Sequence, residues 1–284
     1  MKTLGYYNGR YDEIEKMSVP MNDRVCWFGD GVYDATMARN YVIYALDEHL
    51  DRIYNSMAGM RIRPPMPKYK MGELLNGLVK KLDTGDQFVY WQVTRGTDDR
   101  NHVFGEGPSN LWVTLRPRRP KDTYKPVILI TAVDERFYYC NIKTLNLLPS
   151  VLASQRAKEA GADECVFVRD GFVTECAHSN VHILKDGAFI THPADKLILP
   201  GIARAHLLRW CRQNGVKTEL RPFTKEELFD ADEVIVSSSG SFCLQAAKVD
   251  GRAVGGGAPE LLKAMQDAMV RDFAEKTGGG TVEF

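Results

Sequence analysis

Hydrophobic positions change period several times along the chain. Residues 88–94, 111–115 and 127–133 are short runs rich in β-branched and aromatic side chains, which predicts strands. Leu50, Ile53, Tyr54 and Met57 fall at i, i+3, i+4 and i+7, one stripe of a helix, with Asp47 placed to cap it. Leu74, Leu75, Leu78 and Leu82 predict a second helix over about 71–82. Leu262, Met265, Met269 and Phe273 predict a last one that frays into glycines 278–280. The dipeptides Asn8-Gly9, Asp170-Gly171 and Asp186-Gly187 are hairpin turns, because both residues tolerate positive φ. They pair strands at the chain start, around 165–168 and around 181–184. Further helices are expected from Pro149 to Gly161, over 201–212 and over 225–230. A strand at 234–236 runs into Ser237-Ser238-Ser239-Gly240.

Arg-Pro-Arg-Arg-Pro-Lys-Asp-Thr-Tyr-Lys-Pro, residues 116–126, carries three prolines and five basic residues and is the strongest linker. It predicts a small N-terminal α/β domain over 1–118, a linker over 119–126 and a larger C-terminal mixed α/β domain over 127–284. Strands and helices mix in both halves, an α+β or α/β class.

Composition narrows the function. Lys plus Arg and Asp plus Glu both number 37, so the net charge is zero. That argues against nucleic acid or a membrane surface as partner. Six scattered cysteines lack CxxC spacing, so neither a zinc site nor a disulfide framework is indicated. His178 and His182 lie four apart, but on a turn and a strand, so no metal site is expected. No secretory signal or membrane-length apolar run is evident, which makes the cytoplasm the default.

Candidate chemistry begins at Lys143, set among Ile142, Leu145, Leu147 and Leu148 with no acidic neighbour in sequence. Burying an unpaired ammonium is costly, so such a lysine tends toward a neutral, nucleophilic amine. The alternative is a stem that packs and a head that reaches water. Leu199-Pro200-Gly201-Ile202-Ala203-Arg204 leads into a helix whose first N–H groups suit a phosphate. Ser237-Ser238-Ser239-Gly240 adds hydroxyls and amides. Glu175 ends a strand-like run and suits the protonated nitrogen of a pyridine ring. Arg100 and His102 project to one side of an extended loop and suit a carboxylate. Taken singly, each loop and each charge also fits a purely structural role.

Together these residues resemble the fold-type IV pyridoxal 5′-phosphate enzymes, the class IV aminotransferases, over about residues 5–255. The motifs stand in that family's order: Phe-Gly-Asp-Gly-Val-Tyr (28–33), Asp-Glu-His-Leu-Asp-Arg (47–52), Gln-Val-Thr-Arg-Gly-Thr (92–97), Arg-Asn-His (100–102), Ile-Lys-Thr-Leu-Asn-Leu-Leu (142–148), Val-Thr-Glu (173–175), Ser-Asn-Val (179–181) and Leu-Pro-Gly-Ile-Ala-Arg (199–204). Within the family they are most similar to D-amino acid aminotransferases. The resemblance implies that Lys143 is the Schiff-base lysine and proton shuttle, and that Glu175 pairs with the ring nitrogen. Arg52, Ile202, Ala203, Ser238 and Ser239 would bind the phosphate, and Leu199 would pack on the ring. Tyr33, Arg100 and His102 would hold the substrate carboxylate, the latter two from the other subunit of a homodimer. The implied activity exchanges an amino group between a D-amino acid of the alanine or glutamate type and a 2-oxo acid such as pyruvate or 2-oxoglutarate. Branched-chain L-amino acid aminotransferases, (R)-amine transaminases and aminodeoxychorismate lyases share the framework and remain alternatives, as does a cofactor-binding protein without turnover. Cys176, Ala177, His178 and Ala203 depart from the family pattern, each where a glycine or a hydroxyl is common.

Overall fold

Asn8 and Gly9 both take positive φ, 44° and 94°, and fold β1 (Leu4–Tyr7) back onto β2 (Arg10–Asp12). This turn opens the first of two units in the computed structural model, which describes residues 1–284. The first unit holds Met1–Pro120, Ile142–Asn146 and Phe273–Phe284. After β2 come α1 (Arg24–Phe28), β3 (Gly31–Arg39), β4 (Val42–Ile43), α2 (Leu46–Gly59), α3 (Lys68–Val79), β5 (Gln87–Thr94) and β6 (Asn110–Pro117). The strands form one antiparallel sheet ordered β2-β1-β6-β5-β3-β4. Alternation along β5 and β6 buries Val89, Trp91, Val93, Val113 and Leu115 in one core with Leu50, Ile53 and Met57 of α2.

Asp47 does not cap α2. Ala45 holds that position in the left-handed conformation, and Asp47 lies in the first turn, where its charge complements the helix N-terminus. The second helix starts and ends three residues earlier than its leucine spacing suggests, because Pro67 stands at its N-cap. The short α1, capped by Asp23, has no counterpart in the sequence reading.

The second unit holds Lys121–Asn141 and Leu147–Asp272. Its elements run β7 (Val127–Val133), α4 (Leu148–Glu159), β8 (Glu164–Arg169), β9 (Phe172–Cys176), β10 (Asn180–Lys185), β11 (Ala188–Thr191), α5 (Ile202–Gln213), β12 (Lys217–Leu220), β13 (Phe223–Thr224), α6 (Lys225–Phe229), β14 (Glu233–Ser237), β15 (Leu244–Val249), β16 (Arg252–Ala253) and α7 (Pro259–Lys276), whose end from Phe273 on groups with the first unit. The mixed sheet is ordered β12-β11-β10-β14-β15-β7-β8-β9-β13, with β16 paired to β15. Both Asp-Gly turns are present: Asp170 and Asp186 take φ of 51° and 50°, and their glycines 83° and 73°. The strand β15 was not legible in advance. Its Leu-Gln-Ala-Ala-Lys-Val is broken by two polar residues, and it is held by parallel pairing with β7, far away in sequence. No helix is long and apolar enough to cross a membrane.

The segment with Lys143 lies after the linker in sequence, yet its contacts group it with the first unit. Thr144 bridges Val32, and Leu145 N–H donates to the Gly31 carbonyl at 3.0 Å, so the segment lies against β3. Gly31 permits this approach: a Cβ there would stand 2.6 Å from Leu145 Cδ1 and 2.9 Å from the Val93 carbonyl.

Candidate active site

Backbone bonds hold Lys143 on both sides. Tyr33 N–H donates to the Lys143 carbonyl at 2.9 Å, and Lys143 N–H donates to Ser56 Oγ at 3.2 Å. Nζ stands 4.4 Å from the centre of the Tyr33 ring, which stacks on Tyr90 at 5.5 Å. An aromatic face orients the amine without placing a competing proton acceptor on it, at a gain of about 0.5–2 kcal/mol. The lysine is half-buried, and its apolar setting is thinner than expected. Ile142 packs on the first core, whereas Leu148 is 76% exposed, because it opens α4 on that helix's outer face.

Arg52 sits on the buried side of α2. Its Nε and Nη2 grip Asp34 Oδ2 and Oδ1 at 2.9 and 2.6 Å, and His49 Nδ1 lies 2.7 Å from Oδ1. Burial alone would push the Asp34 carboxyl up, but Arg52 and His49 outweigh it and hold it below the usual carboxylate range. Burial pushes His49 down against the pull of Asp34, and the charges of Arg52 and Lys143 act in the same direction as burial. The result is a guanidinium fixed by a charge-assisted fork.

Arg100 and His102 are exposed on the loop between β5 and β6. Arg24 holds that loop, donating from Nη1 to the Asn101 carbonyl at 2.5 Å while pairing with Asp30 at 2.8 Å. The Arg100 guanidinium lies 5.4 Å from the Phe28 ring centre, and the His102 ring 5.1 Å from it. One aromatic ring therefore gathers both side chains, as their i, i+2 spacing suggests.

In the second unit, Glu175 ends β9 and is buried. Arg136 Nη1 donates to its Oε1; Asn180 Nδ2 and the Leu199 N–H each donate to Oε2 at 3.0 Å. Arg136 is itself clamped by Asp134, through Nε at 2.9 Å and Nη2 at 2.8 Å. Burial opposes the charge of Asp134, but Arg136 outweighs it and lowers the carboxyl. Burial likewise opposes the Arg136 charge, and its two carboxylates raise it above the ordinary arginine value. The Arg136 guanidinium also lies 4.5 Å from the Phe167 ring centre.

The first turn of α5 begins beside this carboxylate. Gly201 is its N-cap and supplies no side-chain acceptor, so the N–H groups of Ile202 and Ala203 are offered to a ligand. A Cβ on Gly201 would stand 2.1 Å from Asn180 Oδ1. Only glycine lets Asn180 lie there while it bonds Glu175 and, at 3.0 Å, the Leu199 carbonyl. The serine loop after β14 closes on itself: Phe242 N–H donates to the Ser238 carbonyl at 2.8 Å, and the Ser238 and Ser241 hydroxyls are 2.7 Å apart. Ser239 lies at the tip of that turn. The donor set of this unit fits a phosphorylated pyridine: helix N–H groups and hydroxyls for an anion, and an oriented carboxylate for a ring nitrogen.

The family model of amino-transferase class IV matches residues 31–249. The chain belongs to the class IV aminotransferases. It is 38% identical to the D-alanine aminotransferase of Bacillus licheniformis over 281 residues, covering 98% of this chain and 99% of that one. A second D-alanine aminotransferase, from Staphylococcus epidermidis, is 34% identical over 257 residues, covering 89% of this chain and 91% of its own. Among solved structures, the branched-chain amino acid aminotransferase of Escherichia coli superposes with a TM-score of 0.88 at 20% identity, over 96% of this chain and 95% of that one. At that identity the likeness shows the fold, which is fold type IV. The class consists of pyridoxal 5′-phosphate enzymes.

In this aminotransferase the structure brings Tyr33 to Lys143, Arg100 to His102, and Glu175 to Leu199. It sets Ile202 and Ala203 in the first turn of α5, and Ser238 and Ser239 in the loop after β14. Sequence reasoning missed Asp34, which holds Arg52, and Arg136 and Asn180, which hold Glu175. Asn180 stands inside the Ser-Asn-Val motif, and Asp134 and Arg136 directly follow the apolar strand β7. A charge pair at a strand's end was the available signal.

Proposed function

We propose that this aminotransferase moves an amino group between a D-amino acid, of the alanine or glutamate type, and a 2-oxo acid, using pyridoxal 5′-phosphate. The observation that carries the reading is 38% identity to a D-alanine aminotransferase along 98% of the chain, with Arg100 and His102 gathered on Phe28 in support. When bound, the cofactor supplies the carbonyl that takes up the amino group and the ring that stores the electron pair released at Cα. Lys143 holds the cofactor through Nζ and then carries the proton that leaves the substrate Cα. Tyr33 and Tyr90 keep Nζ aligned. Glu175, oriented by Arg136, Asn180 and the Leu199 N–H, holds the proton on the ring nitrogen. The Ile202 and Ala203 N–H groups, Arg52, Ser238 and Ser239 bind the phosphate, and Leu199 packs on the ring. Arg100 and His102, with Tyr33, bind the α-carboxylate. Fixing that group decides which Cα–H faces Lys143, and so which enantiomer reacts.

The working form is a homodimer in which Arg100 and His102 serve the other subunit. Leu148, Val151 and Leu152 form an i, i+3, i+4 row on α4 and are 76%, 57% and 58% exposed, an apolar stripe that suits burial against a second copy. The test is a half-reaction: purified holoenzyme is mixed separately with D- and L-alanine, and the visible absorbance of the cofactor is followed. Loss of absorbance with the D-enantiomer alone is expected. Loss with L-amino acids alone would replace this reading by a branched-chain type.

A further inference from the structure

A polar chain crosses the second unit beneath the two loops assigned to the phosphate. Arg204, in the first turn of α5, is 6% exposed and pairs with no carboxylate; its Nε donates to Thr191 Oγ1 at 3.1 Å, and its Nη2 to the His192 carbonyl at 2.8 Å. Thr191 Oγ1 lies 2.8 Å from Nδ1 of His182, and the other ring nitrogen, Nε2, lies 2.8 Å from Ser237 Oγ. His182 is fully buried, and Ser237 opens the serine loop. The pairing of His182 with Thr191 follows the register of β10 and β11. Ser237 shares the His182 side of the sheet because it pairs with Asn180, two residues before His182.

We propose that His182 is a positioning residue for the cofactor phosphate, fixing the serine loop after β14 against the first turn of α5. The proposal rests on the reading of those loops given above. One order of donors satisfies every group in the chain. Thr191 Oγ1 accepts from Arg204, so its own proton is available to His182 Nδ1. The ring then carries its proton on Nε2 and donates to Ser237, whose hydroxyl proton is left for an acceptor further along. Only a neutral ring can accept and donate in this way. Burial, and after it the Arg204 charge, hold His182 well below its ordinary pKa and keep it neutral. Without the imidazole, Ser237 and Thr191 lose their common tie, and the loop is free to shift from α5.

The experiment compares binding of pyridoxal 5′-phosphate and of phosphate-free pyridoxal to the cofactor-stripped full chain, in wild type, His182→Leu, His182→Gln and Ser237→Ala. Wild type should prefer the phosphorylated form. His182→Leu should weaken that form about tenfold, the scale of one buried hydrogen-bond tie, and leave pyridoxal unchanged. His182→Gln, which restores a donor, should recover most of the loss. Ser237→Ala should weaken the phosphorylated form in the same direction, and it serves alone if His182→Leu does not fold. Nitrogen-15 spectra of labelled wild type should place the His182 proton on Nε2. Equal losses for both ligands, or none in His182→Leu and Ser237→Ala, would overturn the positioning role. A wild type that binds both ligands alike would instead overturn the phosphate assignment of the loops.

Discussion

Replacing Arg136 by methionine tests how Glu175 is held. The substitution removes the bond to Glu175 Oε1, both side-chain bonds to Asp134, one to the Leu197 carbonyl at 3.1 Å and one to Thr174 Oγ1 at 3.2 Å. Two buried carboxylates lose their shared partner, although Arg169 Nη2 remains 3.2 Å from Asp134. Removing one member of a buried charge pair costs about 3–5 kcal/mol, since the other charge stays desolvated. For a chain of this size that lowers Tm by about 5–8 °C. The loss carries a pH signature. The folded-state pKa of Asp134 is depressed, so its pairing is fully present above the unfolded value, near 4, and is lost as pH falls through the folded value. The stability gap between wild type and Arg136→Met should therefore be widest at neutral pH and narrow in acid. Denaturant unfolding at pH 7 and at a series of lower values measures it. A gap below about 1 kcal/mol at pH 7, or one that stays constant into acid, would refute the clamp.

Glu175→Gln should retain the cofactor and slow proton removal at Cα by on the order of a hundredfold, since a neutral amide does not hold the ring nitrogen protonated. Single-turnover absorbance kinetics check it, and near wild-type rates would remove Glu175 from the reaction. Gly201→Ala should displace Asn180, whose Oδ1 lies 2.1 Å from the added Cβ, and weaken cofactor binding about tenfold or more. Titration of the cofactor-stripped variant with pyridoxal 5′-phosphate measures this, and unchanged affinity would contradict the close packing at α5. Arg100→Ala should raise KM for D-amino acids and leave cofactor affinity as it is; steady-state kinetics with a cofactor titration separate the two.

Local signals carried much of the fold. The Asp-Gly turns were legible because few other dipeptides accept positive φ twice, and α2 was legible because its stripe repeats over two turns. Where structure depends on distant partners, the local signal fades. With Gln245 and Lys248 interrupting it, β15 reads as a loop until β7 pairs with it. Leu148 reads as interior because apolar residues usually are, yet that rule runs one way, and a leucine on an outer helix face breaks it. Lys143 was singled out through the neighbouring motif, whereas the groups that hold Arg52 and Glu175 were not. Asp34 and Arg136 act through contacts 18 and 39 positions away, on Arg52 and Glu175, which no spacing rule connects. His182 shows the same limit: as a lone histidine in a strand it is unremarkable until Thr191 and Ser237 are seen on either side of it.

The role of Lys143 is tested most directly by reducing the holoenzyme with borohydride, digesting it, and weighing the peptide that spans residues 142–146. Covalent retention of a phosphopyridoxyl group on Lys143, absent from the Lys143→Ala chain, is the expected result. A group fixed on another lysine, or none on any, would contradict the account.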